Sequence, residues 1–447
     1  VATAGFVRAQ DAPPITPVAP EAPAPSSPAS DDAPAAQPGY VFAPDILSPI
    51  PPGELLKTLN TPSGSLGFGT RGPLQRGLRL YATESLRFDD NVRRLQRGVQ
   101  PGIGRSRADS YSVTNAGVSY ATQLGLQTLF FRADGGLTRY RENSDLNSKR
   151  YSIAAGVNWR VGSPCSGSLT LSSTRSETEL QDIIFGDTQS LSTVDRVDWS
   201  GRCRIFGRVH GTFGINASRN QFSTAAANDY RRVAFQAGLE YAVPRFHTLG
   251  VEVVRSHLSF YNRPVASFAQ SATDVEQTEY RAYYRYIVSP KTTLSISGGA
   301  VQSTTSSPLF SQDRLQPTFA AGVTWRPGPK LLVSINAQRT VSPPQGNASS
   351  YQSTDFATLS ITYAYSRKLS FAAAFAETRS SFAVGGAALG SPAGRSTRTR
   401  TYSLDANYRI TPFWSASLGY RFTERTDKLT QQSVQSNLYT VSLTYRR

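Results

Sequence analysis

The chain has 447 residues, a formal net charge of +16, a sequence pI near 10.0 and 39% hydrophobic residues. No stretch of about eighteen apolar residues occurs, which excludes transmembrane helices and leaves crossing by strands, whose apolar residues come only at every second position. The arginines are spread singly, with no basic stripe interleaved with stacking aromatics, so a nucleic-acid partner is excluded.

Residues 1–10, VATAGFVRAQ, read as the remnant of a secretory signal, with Val7-Arg8-Ala9 as a small-residue cleavage site. Residues 11–52 are a Pro/Ala-rich tract that cannot bury a core, expected to form a disordered periplasmic leader. Residues 53–77 hold a short helical pattern at 54–59 and a Gly-rich run, and either lead into the first strand or form a small plug.

Residues 78–447 carry a repeated period-2 pattern. In YSLDANYRITPFWSASLGYRF at 402–422, Tyr402, Leu404, Ala406 and Tyr408 alternate with Ser403, Asp405, Asn407 and Arg409. After Thr411-Pro412, Trp414, Ala416, Leu418 and Tyr420 alternate with Ser415, Ser417, Gly419 and Arg421. Such alternation gives a sheet one apolar and one polar face. About eighteen strands follow, near 78–90, 110–122, 126–141, 149–162, 166–177, 190–204, 207–221, 229–243, 246–260, 275–288, 291–303, 316–326, 330–341, 353–365, 368–380, 398–410, 412–425 and 436–446. Three strands fit less well. Glu84 falls in the apolar phase of the first, and the phase slips near Asn115 and near Val253-Val254, where β-bulges would account for it.

The connections sort by length. Short ones such as Gly162-Ser163-Pro164, Ser289-Pro290-Lys291 and Thr411-Pro412 alternate with long polar ones at 177–189, 262–273, 303–316, 342–354, 383–397 and 425–436. Outer-membrane barrels have short periplasmic turns and long outer loops. The fold class is therefore all-β, a transmembrane antiparallel up-and-down barrel in the bacterial outer membrane, with both termini periplasmic. Its apolar face meets outer-membrane lipid and lipopolysaccharide. Trp159, Tyr284, Trp325, Tyr408 and Tyr445 close strands just before short turns and Trp414 opens one, which reads as the periplasmic aromatic girdle. Cys165 and Cys203 are the only two cysteines; they fall in short turns at the periplasmic side and on one face, an arrangement that suits a disulfide in an oxidising compartment.

The stretch SLRFDDNV at 85–92, with its aromatic-Asp-Asp-Asn-aliphatic signature at a strand exit, resembles the putative β-barrel porin type 2 family of Gram-negative outer-membrane proteins. The Pro-rich leader and the even strand number fit the same family. The resemblance implies a channel associated with exopolysaccharide export, with a periplasmic export partner recruited through residues 11–77. Read from the residues alone, Asp89-Asp90-Asn91 is either a polar strand exit or an ion-binding group.

Alternation places Arg132, Arg150, Arg160, Arg232, Arg281, Arg285, Arg326, Arg409, Arg421 and Arg425 on the lumenal face, with Asp134, Glu240 and Asp405 opposing them. Lumenal arginines favour anions, and they also brace a barrel by pairing with acids. His210 is the single histidine in a mid-barrel lumenal phase, and no nucleophile–base pair or metal-ligand spacing accompanies it, so neither an enzyme nor a cofactor or metal site is expected. Three functions remain: a passive export conduit for polysaccharide cargo, a general or substrate-selective diffusion porin for small anionic solutes, and a structural or adhesive scaffold with a closed lumen.

Overall fold

The computed structural model describes residues 77–102, 104–179, 189–223, 226–243, 246–262, 274–305, 315–342, 351–383, 396–428 and 432–447. The signal remnant, the leader and the lead-in or plug lie outside the described residues, except for Gly77. So do nearly all of the long connections at 262–273 and 383–397, the two candidates for an inward-folded loop.

The strands are β1 Gly77–Asp89, β2 Asp109–Leu124, β3 Gln127–Tyr140, β4 Ser148–Val161, β5 Cys165–Glu179, β6 Gln189–Phe206, β7 Val209–Phe222, β8 Tyr230–Val243 and β9 His247–Phe260. They continue with β10 Asp274–Ser289, β11 Thr292–Thr305, β12 Leu315–Gly328, β13 Leu331–Ser342, β14 Tyr351–Ala364, β15 Leu369–Ala383, β16 Ser396–Arg409, β17 Trp414–Asp427 and β18 Ser433–Arg446. Each pairs antiparallel with the next, and β1 pairs with both β2 and β18, closing an 18-stranded ring. No helix among the described residues is long and apolar enough to cross a membrane.

The faces follow the sequence alternation. Leu404, Leu418 and Val441 stand outward and exposed, whereas Ser403 and Ser442 on the same strands are buried on the inner side. An apolar surface of this extent, running around a closed ring, is stable only against lipid. The short turns share one end of the barrel with the start of β1 and the end of β18. Gly125 (φ 60°) and Gly207 (φ 49°) give two of these turns the left-handed backbone that tight hairpins need.

The two phase slips are not bulges. The β1–β2 pairing runs unbroken from Gly77↔Ala121 to Asp89↔Asp109, and β9 pairs without interruption on both sides. Register shifts lie instead near the short turns, at Arg204/Phe206, Ile287/Ser289 and Trp325/Gly328. What changes near Asn115 and Val253-Val254 is polarity. On β9 Val254, Leu258 and Phe260 point inward and are buried, while Arg255 and His257 point outward and are exposed. A 14-residue strand such as β9 spans about 46 Å at ~3.3 Å per residue, or roughly 35 Å of height when tilted by about 40°, against an apolar band of about 25 Å. The long-loop ends stand above the hydrocarbon, so their outward positions meet headgroups and water.

An ion-pair ladder marks that height. Arg339 pairs with Asp355 at 2.6 Å, and Glu377 holds Arg379 at 2.8 Å, Arg398 at 2.6 Å and Arg400 at 3.4 Å, all on the outward face of β13–β16. Glu84 is a different case. It is outward and exposed in β1, flanked by Thr114 and Leu443, and the structure offers no physical account of it.

Candidate functional site

The signature at the β1 exit closes the barrel seam. Asp89 accepts hydrogen bonds from the Asn91 backbone N–H (2.8 Å), the Ser436 hydroxyl (2.8 Å) and Arg94 Nη1 (2.8 Å). Asp90 accepts from the backbone N–H (2.7 Å) and Nδ2 (2.6 Å) of Asn437. Asn91 donates to the carbonyls of Leu95 and Gln435, both at 2.8 Å. Residues that looked like a strand exit or an ion site therefore staple the first strand to the last. A second layer ties the β1–β2 connection to the next loop: Arg93 donates to Asn143 Oδ1 at 2.8 Å and to Asp145 at 2.6 Å, and Asp109 accepts from Asn143. The Arg93 hydrogen bond holds the Asp145 carboxyl below the usual carboxylate range. No group of three or more metal-ligating side chains occurs among the described residues.

The lumen wall has two arcs of different chemistry. Along β6–β10, charges are matched. Arg281 and Glu252, register partners on β10 and β9, form an ion pair with side-chain exposures of 4% and 2%. Glu252 also accepts from Gln236 Nε2 at 2.6 Å. Arg202 reaches across β7 to pair with Glu240, which accepts a 3.0 Å hydrogen bond from the Tyr283 hydroxyl. Tyr283 lies over Gly250, where a Cβ would collide with its ring. A recess beside this arc is lined by Arg232, Ser256, Gln277, Glu279, Arg281 and Thr318.

The arc around the seam is arginine-rich. Arg87 on β1 is within electrostatic reach of Arg150 on β4 and Arg421 on β17. Arg150 donates from Nε to Asn115 Oδ1 at 3.0 Å, not to a carboxylate. Asp134 lies near Arg150 and Arg132, and Asp405 near Arg421. Four arginines thus outnumber the three acids close to them, Asp134, Asp405 and Glu177, which leaves this stretch of wall net positive.

The sequence candidates divide accordingly. Arg132, Arg150 and Arg421 come together in the seam arc, while Arg232 and Arg281 share the matched arc. Arg160, Arg285, Arg326 and Arg409 fall at the short-turn ends of their strands, and Arg425 near the long-loop end of β17. Arg87 and Arg202 were missed. Arg87 continues the inward series Thr83-Ser85, which the outward Glu84 obscures in the sequence. His210 is not mid-barrel: it is the second residue of β7, beside a short turn.

At the short-turn end the six girdle residues lie near strand ends. Trp414 packs on Tyr445 with ring centroids 5.1 Å apart, and Tyr284 bonds His247 Nδ1 through its hydroxyl at 2.8 Å. Trp325 and Tyr408 are exposed, and the Trp159 indole covers Gly167. Cys165 and Cys203 are bonded as register partners, with Cα atoms 4.1 Å apart. Cys203 lies inside β6, not in a turn, because that strand runs on to Phe206.

A closed 18-stranded barrel with an outward apolar surface and an aromatic rim is built to sit in an outer membrane. The chain is an outer-membrane β-barrel, with its short turns, the start of β1 and the end of β18 on the periplasmic side. The model of the family described as "Putative beta-barrel porin 2" matches residues 265–447. That span leaves out the signature at 85–92. Among solved structures, the chain is similar to the outer membrane protein opdK from Pseudomonas aeruginosa (10% identity, 83% of this chain and 99% of that one, TM-score 0.47). It is also similar to OccAB4 from Acinetobacter baumannii (9% identity, 84% and 100%, TM-score 0.44) and to the siderophore receptor PirA from Pseudomonas aeruginosa (11%, 83% and 81%, TM-score 0.41). At these identities and scores the likeness says nothing about what passes through this lumen. No curated protein matches the chain.

Proposed function

We propose that this barrel is a passive diffusion channel that favours small anionic solutes. The observation that carries the reading is the net-positive seam arc, where Arg87, Arg132, Arg150 and Arg421 outnumber the acids close to them, Asp134, Asp405 and Glu177. Barrels of sixteen to eighteen strands leave an aqueous lumen, and inward guanidinium groups lower the free energy of an anion relative to a cation inside it. The matched arc supplies the bracing role: its buried pairs fix the wall without adding net charge. The family match over 265–447 supports a porin reading in general. Export of exopolysaccharide rests on the family resemblance alone, whereas the charged wall is a feature of this chain.

Swelling of proteoliposomes containing the full chain tests the reading. Small monocarboxylates and dicarboxylates are expected to enter several-fold faster than neutral sugars of equal size, and long oligosaccharides not at all. Equal rates for charged and neutral solutes, or no swelling with any of them, would reject it.

A further inference from the structure

The outward face carries a second cluster of arginines that the channel does not use. Arg219 on β7 and Arg231 on β8 are direct register partners, outward and exposed at the long-loop end. Like charges set directly opposite on a sheet repel. Here both guanidinium groups gather on one side chain, Tyr261, at 5.6 Å and 5.3 Å from its ring centroid, and Arg219 Nε donates to the Tyr261 hydroxyl at 3.4 Å.

The nearby acids do not form ion pairs with them. Asp195, the register partner of Arg219 on β6, accepts a 2.6 Å hydrogen bond from Ser173 and, like Asp229, acts on Arg219 through space without pairing with it. On the next strands Glu276 pairs with Arg255 at 3.1 Å, and Asp274 with His257 at 3.6 Å. Among the described residues no carboxylate lies within ion-pair distance of Arg219 or Arg231. The contrast with the β13–β16 ladder, at the same end of the barrel and on the same face, is direct: there each arginine has a carboxylate.

One outward row toward the membrane, the surface turns apolar. Ala155, Leu171, Val197, Ala217 and Val233 are successive register partners from β4 to β8 and line a groove beneath the arginine pair. The row lies about 7 Å below the arginines, two residues along each strand, and spans roughly 19 Å at ~4.8 Å per strand. That width takes several acyl chains side by side, more than the two of a glycerophospholipid.

We propose that Arg219, Arg231 and Tyr261 bind the phosphate of a phosphorylated, multiply acylated glycolipid of the outer leaflet, the lipid A portion of lipopolysaccharide, with its acyl chains along the Ala155–Val233 row. Guanidinium pairs bidentately with phosphate oxygens, and one dianionic phosphate between the two arginines removes their mutual repulsion. The groove supplies the apolar half of the same ligand. The site lies on the outer wall and is independent of what the lumen conducts.

Native mass spectrometry of the full, folded chain in detergent, with purified diphosphoryl lipid A added, tests the assignment. The expected result is one retained lipid per barrel, with occupancy falling at least tenfold in Arg219→Gln/Arg231→Gln and by a similar factor for the dephosphorylated lipid. A groove variant, Ala217→Glu, is expected to reduce retention while the arginine pair remains. Arg398→Gln, in the neutralised ladder, is expected to bind as the parent does. Heat-modifiable gel mobility verifies that each variant is folded. Undiminished binding by the double variant or of the dephosphorylated lipid would overturn the proposal. Equal retention of phosphatidylglycerol would overturn the choice of a glycolipid and reassign the site to glycerophospholipid.

Discussion

The two arcs of the lumen wall are made of the same residue types and differ in how their charges are matched. Along β6–β10 each well-placed acid has an arginine, and the pairs are buried: Arg281 with Glu252, and Arg202 with Glu240. Around the seam, Arg87 acts through space on both Arg150 and Arg421, and Arg150 donates to an amide oxygen. A buried pair holds a wall in shape but presents no net charge to a passing ion. Arginines that outnumber the acids around them leave a net charge available. Composition alone does not separate the two cases; cross-strand register does.

Mutation should separate them with opposite signatures. The largest stability effect is expected in the matched arc. Arg281→Ala leaves Glu252 buried without its counter-ion, at a cost of about 3–5 kcal/mol, read as a lower urea midpoint for unfolding in detergent. Ion selectivity of the barrel that still folds should change little. Asp89→Ala at the seam removes the counter-ion of Arg94 and the acceptor of two further donors and is expected to cost about 3 kcal/mol in the same assay. In the seam arc, replacing Arg87, Arg150 and Arg421 one at a time by Gln should each cost less stability than Arg281→Ala, while the chloride-over-potassium permeability ratio of the triple replacement falls several-fold. If the matched arc controls selectivity instead, the contrast fails.

Salt sharpens the comparison. Raising ionic strength from 0.1 to 1 M shortens the Debye length from about 10 Å to about 3 Å, so anion preference should fade across that range. The buried pairs should leave the urea midpoint much less affected. The smallest effect concerns the outer loop. The folded-state pKa of Asp145 is lowered, chiefly by its hydrogen bond from Arg93. Its contribution to loop order is therefore fully present above the ordinary aspartate pKa and is lost as pH falls through the lower folded value. Amide exchange at Leu146 and Asn147 should stay slow through pH 4 and rise only in stronger acid; a rise already at pH 5 would contradict this.

Much of the barrel was legible in the sequence because period-2 alternation and loop-length sorting report on one physical fact, a sheet between lipid and water. The eighteen strands and the cysteine pair follow from it. The outer strand ends were read short, as in β16, which begins at Ser396, and β18, which begins at Ser433. Above the hydrocarbon the outward positions become polar, so alternation stops marking the strand. The same change produced the apparent slips on β2 and β9. The wall pairs were hidden for another reason. Glu252 meets Arg281 only because β9 and β10 pair in that register, and Arg202 meets Glu240 across an intervening strand. The seam signature was visible as a pattern, but its partners Ser436 and Asn437 lie at the far end of the chain.

The most direct test of the central claim is the reversal potential of the full barrel in a planar bilayer under a tenfold KCl gradient. A potential displaced toward the chloride equilibrium value, and moved back toward zero by the Arg87, Arg150 and Arg421 replacements, is what the net-positive arc predicts. A potential at zero or toward potassium in the parent barrel, or no conductance, would contradict it.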